Sequence, residues 1–228
     1  MNSDIELIEN TRPQVNSKTV FAPSAKTAIL YIAIFIITIV TLNQTPNLTK
    51  KYIGLSNAYF LSFIIGFIIS LITFLTLFLK NEKRVSFGNF ISLTLSLIFI
   101  QSLSPPTSGS GLTLATLLTQ ENIIYFCIMI FIGPLLEEVA FRGCLFGSVC
   151  YFSKSFDGGV IFSMLVTSLV FSTMHAQYDA ISAYITEFLF SIILTTIRIN
   201  TRSLIYPIAG HTILNSFAVI SLILSVAF

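Results

Sequence analysis

"GPLLEEVAFRG" occupies residues 133–143 and sets two carboxylates and a guanidinium, Glu137, Glu138 and Arg142, inside an otherwise apolar run from Ile123 to Phe146. A charge at the centre of a bilayer costs about 2.5–3.5 kcal/mol on insertion scales, so three unpaired charges would cost roughly 10 kcal/mol. Such groups persist if they are paired, hydrated in a cavity, or used chemically. Glu138 and Arg142 stand four residues apart on one helical face, the acid preceding the base as such ion pairs prefer. Glu137 is rotated about 100° from Glu138 and must face something else. Gly133 and Pro134 lie one turn earlier, where a proline is expected to loosen the helix and free backbone groups for water.

The rest of the chain has the composition of a lipid-embedded protein. Of its 228 residues 54% are hydrophobic and only 10% charged, and the mean hydropathy of +0.88 excludes an ordinary soluble domain. Seven segments are apolar and close to the ~20 residues that a span needs: about 25–43, 57–79, 87–104, 122–148, 159–176, 180–198 and 203–227. The expectation is an all-α, polytopic membrane bundle of about seven transmembrane helices. Its organisation reads as a polar tail over 1–24, N-terminal membrane helices over 25–104, a loop over 105–121 and a C-terminal core over 122–228. The tail lacks the basic-then-apolar-then-small order of a cleavable signal, so the first apolar helix is expected to stay as a span.

With the N-terminus inside, Arg12, Lys18, Lys26, Lys80, Lys83, Arg84, Lys154, Arg198 and Arg202 fall on the inner side, against Lys50 and Lys51 outside. The positive-inside rule therefore predicts a cytoplasmic N-terminus. These scattered basic residues flank spans and form no patch for nucleic acid. Cys127, Cys144 and Cys150 show no metal-type pairing and read as packing residues.

Four places in the second half break the apolar pattern: Glu137, Glu138 and Arg142; His175; Glu187; and His211 with Asn215. Both histidines of the protein belong to this set. His211 and Asn215 are four apart, which presents an imidazole and an amide side by side. A poorly solvated carboxylate is a competent general base near neutral pH, and imidazole and amide groups can orient water or donate to the oxyanion of a tetrahedral intermediate. Glu137, His175, His211 and Asn215 supply such a set for hydrolysis. No serine–histidine–acid or cysteine–histidine arrangement competes at a recognisable spacing.

"EEVAFR" (Glu137 to Arg142), "FSTMH" (Phe171 to His175) and "HTILN" (His211 to Asn215) resemble, in order and spacing, the motifs EExxxR, FxxxH and HxxxN of the CAAX-protease and bacteriocin-processing (CPBP, or Abi) family of intramembrane proteases, which includes the type II CAAX prenyl endopeptidases. The resemblance covers about Ile123 to Ile220 and implies a four-helix catalytic core. It implies Glu137 as the catalytic glutamate, His175 as its partner in activating water, His211 and Asn215 on the oxyanion side, and Glu138 with Arg142 as an orienting or structural pair. The chain departs from the family pattern where small glycines are replaced near Ser191 and Thr195, and where the glycine of a usual "TGSL" is Arg202. Ser and Thr still allow close helix packing.

The expected activity is an intramembrane endopeptidase acting on a membrane-associated peptide or protein, as in peptide maturation, bacteriocin processing or immunity, or CAAX-like processing. The setting is a multi-pass protein of a bacterial plasma membrane, with a sensor kinase or peptide transporter as further partners. Metal-free catalysis is the expectation. The alternative is a divalent ion such as zinc held by Glu137, Glu138, His175 and His211, although adjacent glutamates do not readily face one ion. A non-catalytic scaffold or immunity protein binding a sensor kinase or receptor is the second functional reading. A transporter is the third, and it would predict inverted-repeat halves that the sequence lacks. Glu187 lies outside the motifs and is open to a structural pair, a cavity position or a substrate contact. Depth poses a difficulty: at ~1.5 Å per residue, Glu137 and His211 lie about 16 and 13 Å from the inner ends of their spans, but His175 about 25 Å. Straight, upright helices would not bring the three level.

Overall fold

The computed structural model describes residue 21 and residues 24–82, 87–103, 113–155, 157–175 and 180–227. Arg12, Lys18, Lys83 and Arg84, with most of the 1–24 tail and residues 105–112 of the 105–121 loop, lie outside the described residues. Among the described residues there are eight helices and no strand: α1 Ala25–Ile53, α2 Leu55–Phe78, α3 Phe87–Leu103, α4 Leu114–Leu117, α5 Gln120–Phe152, α6 Gly159–Met174, α7 Ile181–Thr201 and α8 Ile205–Ala227. Five of them, α1, α2, α5, α7 and α8, are long and apolar enough to cross a membrane. The apolar helices α3 and α6, at 17 and 16 residues, are shorter than a full span.

Helix α1 runs about ten residues past the expected end near 43, through Pro46. The turn-forming "NQTPN" is absorbed because polar side chains support the weakened turn. Asn43 Nδ2 donates to the Ile39 carbonyl at 2.9 Å, and Asn47 Nδ2 donates to the Asn43 carbonyl at 3.1 Å. The helix stops at Gly54, whose φ of 81° only glycine adopts without cost, and α2 folds back along it. One turn of helix, α4, stands in the stretch read as loop and is closed by a capping box at Thr113 and Thr116.

Helix α5 is central: it packs on α1, α2, α6 and α8. It is not a regular α-helix. Wide π-type turns at Ile128–Ile132 and Val139–Leu145 flank the α-helical Gly133–Glu138. The first break follows from Pro134. In the wide turn the Gly133 N–H donates to the Ile128 carbonyl instead of to Met129, and residue 134 has no N–H to offer. The Met129 carbonyl is thereby left without a donor in its own helix.

Tyr31, Phe74, Phe78, Val139, Cys144 and Leu204 form one buried cluster, and Phe90, Leu97, Phe190, Leu194, Ile197 and Leu214 a second between α3, α7 and α8. The first cluster joins the start of α1, the end of α2, the C-terminal half of α5 and the start of α8. Lys26, Lys80, Lys154 and Arg202 therefore collect at one end of the bundle, with Lys50 and Lys51 at the other. Ser163, Thr167, Ser168, Ser191 and Thr195 are fully buried where α6 meets α7, the close packing that small side chains permit.

Candidate active site

The two adjacent glutamates take different environments. Glu138 is fully buried and its Oε1 accepts from Arg142 Nη1 at 2.9 Å. The Arg142 guanidinium, also fully buried, reaches the Ser191 carbonyl with Nη2 at 3.4 Å and lies over the Phe171 ring, 4.5 Å from its centroid. Glu137, turned away as its rotation requires, keeps 27% of its side-chain surface exposed and lines a cavity of about 270 Å³. Gly133, four residues earlier, leaves the space beside Glu137 Oε1 clear.

His211 connects the two acids. Its Nδ1 lies 2.8 Å from Glu138 Oε1 and its Nε2 3.9 Å from Glu137 Oε2. A carboxylate that already pairs with arginine can only accept, so Nδ1 carries a hydrogen, and in the neutral ring Nε2 keeps its lone pair. His175 is held in the same tautomer. Its Nδ1 is 2.8 Å from the Phe171 carbonyl, a group that can only accept, which leaves Nε2 free. His175 is the residue on which α6 ends, and it too lines the cavity.

Asn215, one turn beyond His211, donates Nδ2–H to the Met129 carbonyl at 2.8 Å. This is the carbonyl orphaned by Pro134, so the broken turn of α5 and the last motif of α8 complete each other. The depth difficulty is resolved by irregularity: α6 is short and ends at His175, α5 is broken, and Glu137, His175, His211 and Asn215 line one cavity. The imidazole set against Glu137 is that of His211, where the sequence reading paired Glu137 with His175.

Phe63, Gln101, Phe190, Leu194, Leu214 and Glu187 complete much of the wall. Glu187 thus takes the cavity position among the options open from sequence, while Gln101 and Phe63 carried no signal. Glu82 was also missed. Its carboxylate accepts from the Leu204 N–H at 3.0 Å, the Ile205 N–H at 3.5 Å and the Ser203 hydroxyl, and so caps the helix that carries His211. Its only sequence signal was an acid just before a charged loop.

Among the described residues, no three histidine, cysteine, aspartate or glutamate side chains gather as ligands for one metal ion. Glu138 is occupied by Arg142 and His211, and His175 Nδ1 by a carbonyl.

Two carboxylates, two imidazoles and an amide thus meet around one cavity in a chain whose longest helices are apolar enough to cross a membrane. Residues 119–217, a segment that contains every motif residue, are similar to the family described as "Type II CAAX prenyl endopeptidase Rce1-like". The chain is also 26% identical, over 156 residues, to "Putative membrane peptidase YdiL" of Bacillus subtilis (strain 168); the match takes in 62% of this chain and about 60% of the length of that relative. No solved structure matches the chain.

Proposed function

We propose that the chain is an intramembrane endopeptidase that hydrolyses a peptide bond of a membrane-associated peptide or protein, with Glu137 as general base. The observation that carries this reading is the placement of Glu137 on the cavity with His211 Nε2 3.9 Å from its Oε2. One water can lie about 2.8 Å from both atoms, giving its proton to Glu137 while the His211 lone pair accepts its second hydrogen. The hydroxide so formed attacks the carbonyl carbon of the substrate. The second amide hydrogen of Asn215, the first being held by Met129, donates to the resulting oxyanion. Collapse of the tetrahedral intermediate breaks the C–N bond, and Glu137 returns the proton to the leaving amine. His175 Nε2 faces the same water from the end of α6. Glu138, itself fixed by Arg142, holds the His211 ring and its tautomer.

The same reading makes α1, α2, α3, α5, α6, α7 and α8 seven crossings of a bacterial plasma membrane, with the end bearing Lys26, Lys80, Lys154 and Arg202 in the cytoplasm. Residues 122–228 are the catalytic core, and the helices of 25–104 complete its walls through Phe63 and Gln101. The test compares peptides in membranes and medium from cells carrying wild type or Glu137→Gln at matched protein level. A processed peptide that is lost with the variant supports proteolysis and identifies the substrate. An unchanged profile with the cellular phenotype intact overturns it in favour of a scaffold.

A further inference from the structure

The cavity holds one carboxylate that the reaction above does not use. Glu187 comes from the middle of α7, on the same helical face as Phe190 and Leu194, and lines the cavity with Glu137, His175 and His211. It is half-buried, and among the described residues no hydrogen bond or ion pair engages it. Among the described residues no lysine or arginine lines the cavity. Arg142 is spent on Glu138 and the Ser191 carbonyl. Two carboxylates thus share one cavity with no lysine or arginine among its described lining, and Phe63, Ile128, Phe190, Leu194, Leu214 and Ala218 give it apolar wall as well.

We infer that Glu187 is a specificity-determining residue that receives the side chain of a lysine or arginine close to the scissile bond of the peptide substrate; this rests on the peptidase reading. A free metal ion would need further ligands, and no group of three is present among the described residues. A lysine or arginine needs a single acceptor for its charge and an apolar surface for its methylene stem. Glu187 supplies the first, and Phe190 and Leu194, one and two turns along α7, supply the second. The cation of the substrate also relieves the repulsion between Glu187 and Glu137, so the charge on Glu137 that removes the proton from water is favoured when the correct peptide is bound.

The experiment uses the full chain in lipid vesicles with a pooled library of acyl-anchored peptides randomised over four residues on each side of a central bond. Cleavage sites are read by mass spectrometry. Wild type is expected to enrich lysine and arginine at one position by about tenfold over methionine, the scale of a charge-assisted hydrogen bond. In Glu187→Gln that ratio collapses toward one, and in Glu187→Lys the same position turns to glutamate and aspartate. A lysine or arginine preference that persists in Glu187→Gln, or wild-type cleavage without any cationic preference, overturns the inference while leaving the peptidase reading intact. Cleavage of no peptide by wild type, with Glu137→Gln indistinguishable from it, overturns the peptidase reading and the inference with it.

Discussion

His211 donates from Nδ1 to the buried carboxylate of Glu138 at 2.8 Å, and that bond aims the opposite nitrogen at Glu137. The imidazole is thereby oriented by the acid that the cavity does not see. His211→Ala is expected to lower kcat by about 10²–10⁴-fold, and more than His175→Ala, because His211 is the ring set against Glu137. Single-turnover cleavage of the natural peptide measures both; a larger loss from His175→Ala would show that the water sits elsewhere.

Glu138 also holds the stability of the site. Glu138→Ala leaves the fully buried Arg142 without its counter-charge, a loss of about 3–5 kcal/mol for a broken buried pair. Glu138→Gln keeps an acceptor and should lose less. Replacing Glu138 and Arg142 together by leucine should recover most of the stability, though not the activity. Thermal unfolding in detergent distinguishes the three variants.

The cap at the start of α8 is a second point of vulnerability. Glu82→Ala removes the acceptor for the Leu204 and Ile205 N–H groups, and about 1–2 kcal/mol of stability should go with it. Hydrogen exchange should rise first at the start of α8. Uniform exchange across the bundle would contradict the assignment.

Arg202 ends α7 with φ 53° and ψ 23°, a left-handed conformation that glycine takes more readily. Arg202→Gly should therefore raise stability by about 1 kcal/mol. An unchanged or lowered melting temperature would mean that the arginine side chain contributes more than its backbone costs.

The Met129 carbonyl offers a coupled test. Asn215→Leu strips it of its donor, at about 0.5–1.5 kcal/mol, the net worth of one hydrogen bond. Pro134→Ala returns an N–H within reach, so in that background Asn215→Leu should cost about 1 kcal/mol less. A double-mutant cycle on unfolding free energy reads the difference, and strict additivity would refute the link.

Much of this site was legible because lipid makes polar residues conspicuous. Glu137, His175, His211 and Asn215 stood out against apolar neighbours, and the four-residue spacing of Glu138 and Arg142 was enough to pair them. Which imidazole would stand beside Glu137 was not legible, because that depends on where α6 stops and how α5 breaks. The end of α1 was expected near 43, where the apolar run stops; the helix continues through Pro46 with Asn43 and Asn47 each donating to a carbonyl one turn back, a local bond that hydropathy does not register. Glu82 was invisible for a different reason. Its partners lie about 120 residues away in sequence, beyond any local period. Arg202 was noticed as a departure from the glycine of the family, and its positive φ explains why glycine is the easier residue there.

The proline of "GPLLEEVAFRG" has a consequence for assembly as well as for chemistry. An unmet carbonyl in an apolar medium acts as a key: α8 satisfies it only when Asn215 arrives at the level of Met129. A slip of α8 by one residue rotates the amide by about 100° and leaves the carbonyl bare. The missing N–H of Pro134 thus specifies the sliding register between two membrane helices, and the correct register also brings His211 to Glu138.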